Sequence, residues 1–192
     1  MPAPYLDELN RSSQRQPGAS DKEYVQWQRG PVTSINMETM KSWVDTCLAH
    51  NNIWLVLVFH GIDGIGWEPR TGAELEEYFG YMKEREDSLW VATFADVTKY
   101  IRERKETEVS SAMQDDTIVV TIASDLDAEV YDVPVTLKTY VPESWESAVL
   151  HLPTGQADQA KLTLQQDSLG SYVLYDVHLE AGEVQLAQQH DI

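Results

Sequence analysis

The apolar positions of this chain change their period twice. In INMETMKSWVDTCLAHNN, Met37, Met40, Trp43, Val44, Cys47 and Leu48 recur at steps of three and four, the spacing of one face of an amphipathic helix. Asn51 and Asn52 follow as left-handed terminators. The next run, Ile53 to Phe59, is apolar without alternation, which predicts a strand covered on both faces, as in a parallel sheet. Thr71-Gly72-Ala73-Glu74 has the form of a capping box and opens a second helix, with Leu75, Tyr78, Phe79 and Met82 on its inner face. LWVATF, 89–94, predicts a second buried strand, and ADVTKYIRER a third helix with Val97, Tyr100 and Ile101 inward. Strand, helix, strand, helix with connections this long is a right-handed βαβα unit.

TEVSSAMQDD, 107–116, is polar and is expected to be a joint. Beyond it the period shortens to two. TIVVTIAS, VPVTLKTYV, SAVLHL, AKLTLQQ, YVLYDVHL and EVQLAQ are short strand-like runs separated by turn residues, the pattern of a small antiparallel β-sandwich. The opening thirty residues, with Pro2, Pro4, Pro17, Gly18 and many Ser and Gln, show no lasting period and are expected to form a loosely ordered arm.

The fold class that follows is α+β in two parts. Residues 1–30 are the arm, 31–106 a partial (β/α) barrel-like unit, 107–116 a linker and 117–192 the sandwich. Two parallel strands with three helices do not close a domain, and nothing before position 31 reads as a further strand. The expectation is therefore that the first half of an α/β domain is missing. Two-sided apolar strands without cover also favour a homo-oligomer in which the α/β parts meet.

Charge narrows the partners. Acidic residues outnumber basic ones 32 to 14 over 192 residues, a formal net charge of −18, which disfavours nucleic-acid phosphate and anionic lipid. No apolar run has the length of a membrane span, and MPAPYLDELNRSS lacks the apolar core of a signal peptide, so the chain as written is expected in the cytoplasm. Cys47 is the single cysteine, which leaves no internal disulfide and no Cys-based zinc site.

Candidate chemistry sits where the first strand ends, in WLVLVFHGIDGIGW: His60, Gly61 and Asp63 stand at the mouth of an apolar run, with Trp67 just beyond. On residues alone, His60 is either a hydrogen-bonded cap of a core strand or a proton donor at a ligand site. Asp63 either orients His60 or serves the turn. Trp67 is either a hydrophobic anchor or a surface on which a sugar stacks. His50, His151, His178 and His190 show no ligand spacing, Asp115-Asp116 lie in the polar joint, and no G-x-S-x-G elbow occurs.

The helix, then WLVLVFHGIDG, then TGAELEEYFGYMKEREDSLWVATFADVTKYIRER, resembles the closing segment of the polysaccharide deacetylase family, with SDLDAEVYDVPVTLKTYVPESW and YVLYDVHLEAGEVQL resembling the sandwich that trails some bacterial members. That resemblance implies a carbohydrate esterase acting on acetylated glycans, with His60 as the general acid that protonates the leaving group. An imidazole suits this step because free histidine titrates at about pH 6.5. It also implies a divalent metal such as zinc, held in the family by an aspartate and two histidines from the barrel's first half, and an aspartate as general base. No matching residues precede His60 here, so no cofactor is expected on this chain. The function expected is a deacetylase-like hydrolase, shortened and with altered or lost turnover. The alternative is a non-catalytic glycan-contacting or protein-interaction module that self-associates.

Overall fold

A computed structural model describes residues 25–50, 53–152 and 160–188. The chain divides into two compact units, the first ending at Ala92 and the second beginning at Thr93.

The first unit is built on a βαβ crossover. Strand β1 (Val25–Arg29) and strand β2 (Ile53–Leu57) pair in parallel, Trp27 opposite Leu55, and helix α1 (Met37–Ala49) connects them. Asn36 starts α1, its side chain accepting from the Thr39 N–H at 2.8 Å. Helix α2 (Gly72–Lys83) opens on the expected box: Thr71 Oγ1 accepts from the Glu74 N–H, and the Glu74 carboxylate accepts from the Thr71 N–H. Met40, Trp43 and Val44 of α1 meet Tyr78 and Met82 of α2 around Trp27, with Leu55 and Leu57 packed against them. Tyr78 ties the helices together: its buried hydroxyl donates to the Met40 carbonyl at 3.0 Å.

Three expectations for this part are corrected. The arm is not irregular throughout, because 25–29 form β1 and supply a partner for β2; the rest of it, 1–24, lies outside the described residues, as do Asn51 and Asn52. VQWQR offers one large apolar side chain between polar neighbours, too little alternation to stand out, yet Trp27 is 5% exposed. LWVATF is not a strand: after α2 the chain runs through turns and coil, with Trp90 and Val91 exposed, and helix α3 (Phe94–Glu106) begins inside the run. Thr93 decides this, since its hydroxyl accepts from the Asp96 N–H at 3.2 Å and caps α3. An apolar run becomes a strand only where a neighbour takes its backbone hydrogen bonds, and none of the described strands does. The parallel crossover is thus β1–α1–β2, one element earlier than expected, and no sheet among the described residues closes into a barrel.

The second unit starts with α3, which was expected to belong to the first. Strand β5 (Thr107–Gln114) follows, where a polar linker was expected; it pairs antiparallel with β6 (Thr117–Ser124) through a tight turn at Asp115-Asp116. β5 is an edge strand exposed along nearly its whole length, which is why its composition resembles a joint. The remaining strands are β7 (Val135–Tyr140), β8 (Ala148–His151), β9 (Ala160–Leu162), β10 (Gln165–Asp167), β11 (Gly170–Val177) and β12 (Glu183–Gln188). AKLTLQQ supplies two strands, not one, and they enter different sheets. One sheet has the order β5-β6-β12-β8-β9, the other β10-β11-β7, all antiparallel. Alternate residues of both, including Val120, Val135, Leu150, Val173, Val184 and Leu186, fill a common core. No described helix is long and apolar enough to cross a membrane.

Candidate functional site

The site is built at the end of β2. The Val58 N–H donates to the Arg29 carbonyl at 3.0 Å, which carries the parallel pairing one step past the strand. Phe59 remains half-buried, its ring edge-on to Phe79 at 6.0 Å, and His60 then emerges exposed. The backbone reverses at once through a two-stranded hairpin, β3 (Gly61–Ile62) and β4 (Ile65–Gly66). Asp63 and Gly64 form its turn with φ of 51° and 82°, the left-handed pair that Asp-Gly supplies in tight hairpins. Gly66 has no room for a side chain, because a Cβ there would lie 2.2 Å from the His60 carbonyl oxygen.

The hairpin brings two of the three sequence candidates together. The His60 and Trp67 rings meet edge to face, centroids 4.9 Å apart at 79°, and Trp67 is 63% exposed. Asp63 faces elsewhere: its Oδ1 accepts from the Gly72 N–H at 2.8 Å, placing a negative charge on the first turn of α2. No described side chain hydrogen-bonds the His60 ring. An exposed imidazole beside an exposed indole can exchange a proton with a ligand that lies against the indole.

Arg70 was not expected, and it underlies the whole arrangement. Its main chain continues the hairpin as a third line, the Arg70 N–H donating to the Gly61 carbonyl at 3.1 Å and the Asp63 N–H to the Arg70 carbonyl at 2.8 Å. Its side chain is buried. Nε donates to the Pro31 carbonyl at 3.1 Å, Nη1 to Glu74 Oε1 at 3.1 Å, and Nη2 to the carbonyls of Val32 and Ile35. The Glu74 carboxyl is held below its ordinary pKa, first by the Thr71 N–H and hydroxyl and then by Arg70. The one sequence signal for this role was an arginine immediately before a capping box and four residues before its glutamate.

His50 is the C-cap of α1, its N–H donating to the Cys47 carbonyl at 3.3 Å; His151 ends β8, and His178 precedes a 3₁₀ turn, one residue beyond β11. His190 lies outside the described residues. Among the described residues, no group of three or more His, Cys, Asp or Glu side chains is placed to hold a metal ion. An open groove of about 720 Å³ lies elsewhere in the first unit, its lining including Phe79, Met82, Lys83, Leu89, Trp90 and Val91.

No family model matches the chain. A gellan lyase from Bacillus sp is 24% identical over 99 residues, which make up 48% of this chain and 4% of that protein. The chain therefore corresponds to a small fraction of the length of this curated relative.

Proposed function

We propose that this chain is part of a glycan-acting hydrolase of the polysaccharide deacetylase type, with His60 as general acid and Trp67 as the ring on which a sugar unit rests. The observation that carries the reading is the exposed imidazole at the end of β2, held 4.9 Å from an exposed indole. A pyranose offers a C–H face to an aromatic ring and hydroxyls to its surroundings, and an indole provides the matching apolar surface with a polar edge. The gellan lyase relative supports a polysaccharide as the ligand class, since its name speaks of one.

In this reading His60 supplies the protonation half of ester or amide cleavage. Water adds to the acyl carbon; as the tetrahedral intermediate collapses, the bond from that carbon to the sugar oxygen or nitrogen breaks, the imidazolium N–H gives its proton to the departing sugar atom, and the acyl group is released as acetate. The described residues do not form the donor set for the divalent metal that the resemblance implies. The sandwich form of the second unit's two sheets, and a barrel that extends the β1–α1–β2 crossover, belong to the same proposal.

The test is acetate release from acetylated chito-oligosaccharide by the purified chain and by His60→Ala. Loss of a general acid lowers the rate by about two to four powers of ten. Release unchanged in His60→Ala contradicts the assignment. No release from either protein contradicts hydrolysis on this chain and favours a second reading, a glycan-contacting module without turnover, for which the 63% exposure of Trp67 speaks.

A further inference from the structure

Among the described residues of the first unit, Arg70 is the buried charged side chain, 3% exposed. A guanidinium leaves water at high cost unless its donors meet acceptors, and here four acceptors surround it. Three of the four are main-chain carbonyls of one short loop, Pro31, Val32 and Ile35, which follows β1. A planar fork with five fixed donors can bridge several carbonyls at once; a lysine ammonium at the same depth cannot span them. Thr33 adds a second tie, its hydroxyl donating to the Pro69 carbonyl at 3.2 Å. On its main-chain side Arg70 is bonded to Gly61 and Asp63, so the residue next to His60 and the turn of the hairpin hang on the same anchor.

We infer that Arg70 is the positioning residue of the His60–Trp67 pair: it locks the loop after β1 to the base of the hairpin and thereby fixes both rings at the end of β2. The inference rests on the reading of His60 and Trp67 as the working pair. Arg70 acts through the backbone of Gly61 and Asp63, and it is not itself catalytic. The hairpin has two residues in each strand and a single partner segment beyond itself. Two-stranded hairpins are marginal alone, and this one owes its fixed attitude to the buried guanidinium.

A purely stabilising arginine would change how much protein is folded without changing the rings in the folded fraction. The experiment therefore reads the rings. In isotopically labelled full-length protein, nuclear Overhauser contacts between the His60 and Trp67 rings are measured in the wild type, Arg70→Lys and Thr33→Val. Arg70→Lys is expected to keep amide protection at Leu75 in the first turn of α2 and to lose the ring contacts. Thr33→Val, which removes only the second tie, weakens them less. Folded Arg70→Lys with ring contacts at wild-type intensity overturns the inference. If Arg70→Lys does not fold, hydrogen exchange in the wild type decides. The amides of Ile35, Asp63 and Arg70 are expected to open together as one unit, and independent opening of Ile35 from the other two overturns the inference. None of these readouts needs turnover, so an inactive His60 overturns the functional proposal and leaves the role of Arg70 standing.

Discussion

The imidazole of His60 and the indole of Trp67 lie edge to face at 4.9 Å, and both are exposed. The pair stands in water at the end of an apolar strand, outside the cluster that holds Trp27 and Tyr78. Trp67→Ala is accordingly expected to leave the melting midpoint almost unchanged, since exposed substitutions of this kind stay within about 0.5 kcal/mol. The same variant is expected to lose binding of N-acetylglucosamine oligomers, read by calorimetry. A large drop in stability with binding retained would identify Trp67 as an anchor.

Gly61 makes a second prediction about the same hairpin. A Cβ at this position would fall 1.8 Å from the Ile65 carbonyl oxygen, closer than any relaxation of the side chain can relieve. Gly61→Ala must part β3 from β4, at a cost of about 1–3 kcal/mol typical of forced overpacking. The expected result is loss of the Asp63 and Arg70 amide protection with the α1–α2 core still folded. Protection unchanged in Gly61→Ala would mean the hairpin has a looser register than Gly61 opposite Gly66.

Much of this arrangement is legible in the sequence, and the part that is not has physical causes. The α1 face of Met40, Trp43 and Val44 and the Thr71–Glu74 box rest on local spacing, which the helix itself enforces. β1 escapes because VQWQR carries a single large apolar side chain, the buried Trp27, and its partner Ile53–Leu57 lies a whole crossover away. β5 escapes for the opposite reason: an exposed edge strand carries polar residues on both faces and is defined by its ladder to β6. LWVATF misleads because apolar content stands in for a partner that does not exist among the described strands. At the site, His60 and Trp67 follow from a strand ending in a glycine-rich turn. Arg70 does not, since its four acceptors are mostly carbonyls of Pro31, Val32 and Ile35, and carbonyls leave no mark on a sequence.

Glu103 on α3 makes the second unit sensitive to pH. Its carboxyl is fully buried; Oε1 accepts from the Val133 N–H at 3.1 Å, and Oε2 has no partner among the described residues. Burial pushes its pKa up, and the nearby Asp132 adds to the effect. A carboxyl raised above its unfolded value holds more protons when folded, so the stability it contributes is complete below the unfolded pKa, about 4.3, and is lost as pH rises through the folded value. Glu103→Gln stays neutral, so its stability relative to wild type is expected to grow as pH rises from about 4 to about 8. Urea midpoints of both proteins across that range check it, and a constant difference would contradict the buried, proton-holding carboxyl.

We propose that the first unit associates with a second copy of itself. β1 and β2 pair only with each other among the described strands, and Phe79, Trp90 and Val91 expose apolar surface along the groove after α2. A net charge of −18 opposes this contact. Salt screens that repulsion, with a Debye length of about 10 Å at 0.1 M and about 3 Å at 1 M. Sedimentation velocity is expected to show association that strengthens with added sodium chloride and weakens in Trp90→Glu. A monomer at every ionic strength would contradict it.

We propose that the His60–Trp67 mouth is where this protein meets a glycan. The most direct measurement is a titration of the labelled chain with an N-acetylglucosamine oligomer, following the Trp67 indole N–H and the His60 ring by nuclear magnetic resonance. Saturable shifts are expected at both rings and at the amides of Gly61 and Gly66, abolished together in Trp67→Ala. Saturable shifts confined to other surfaces, or none at millimolar ligand, would contradict it.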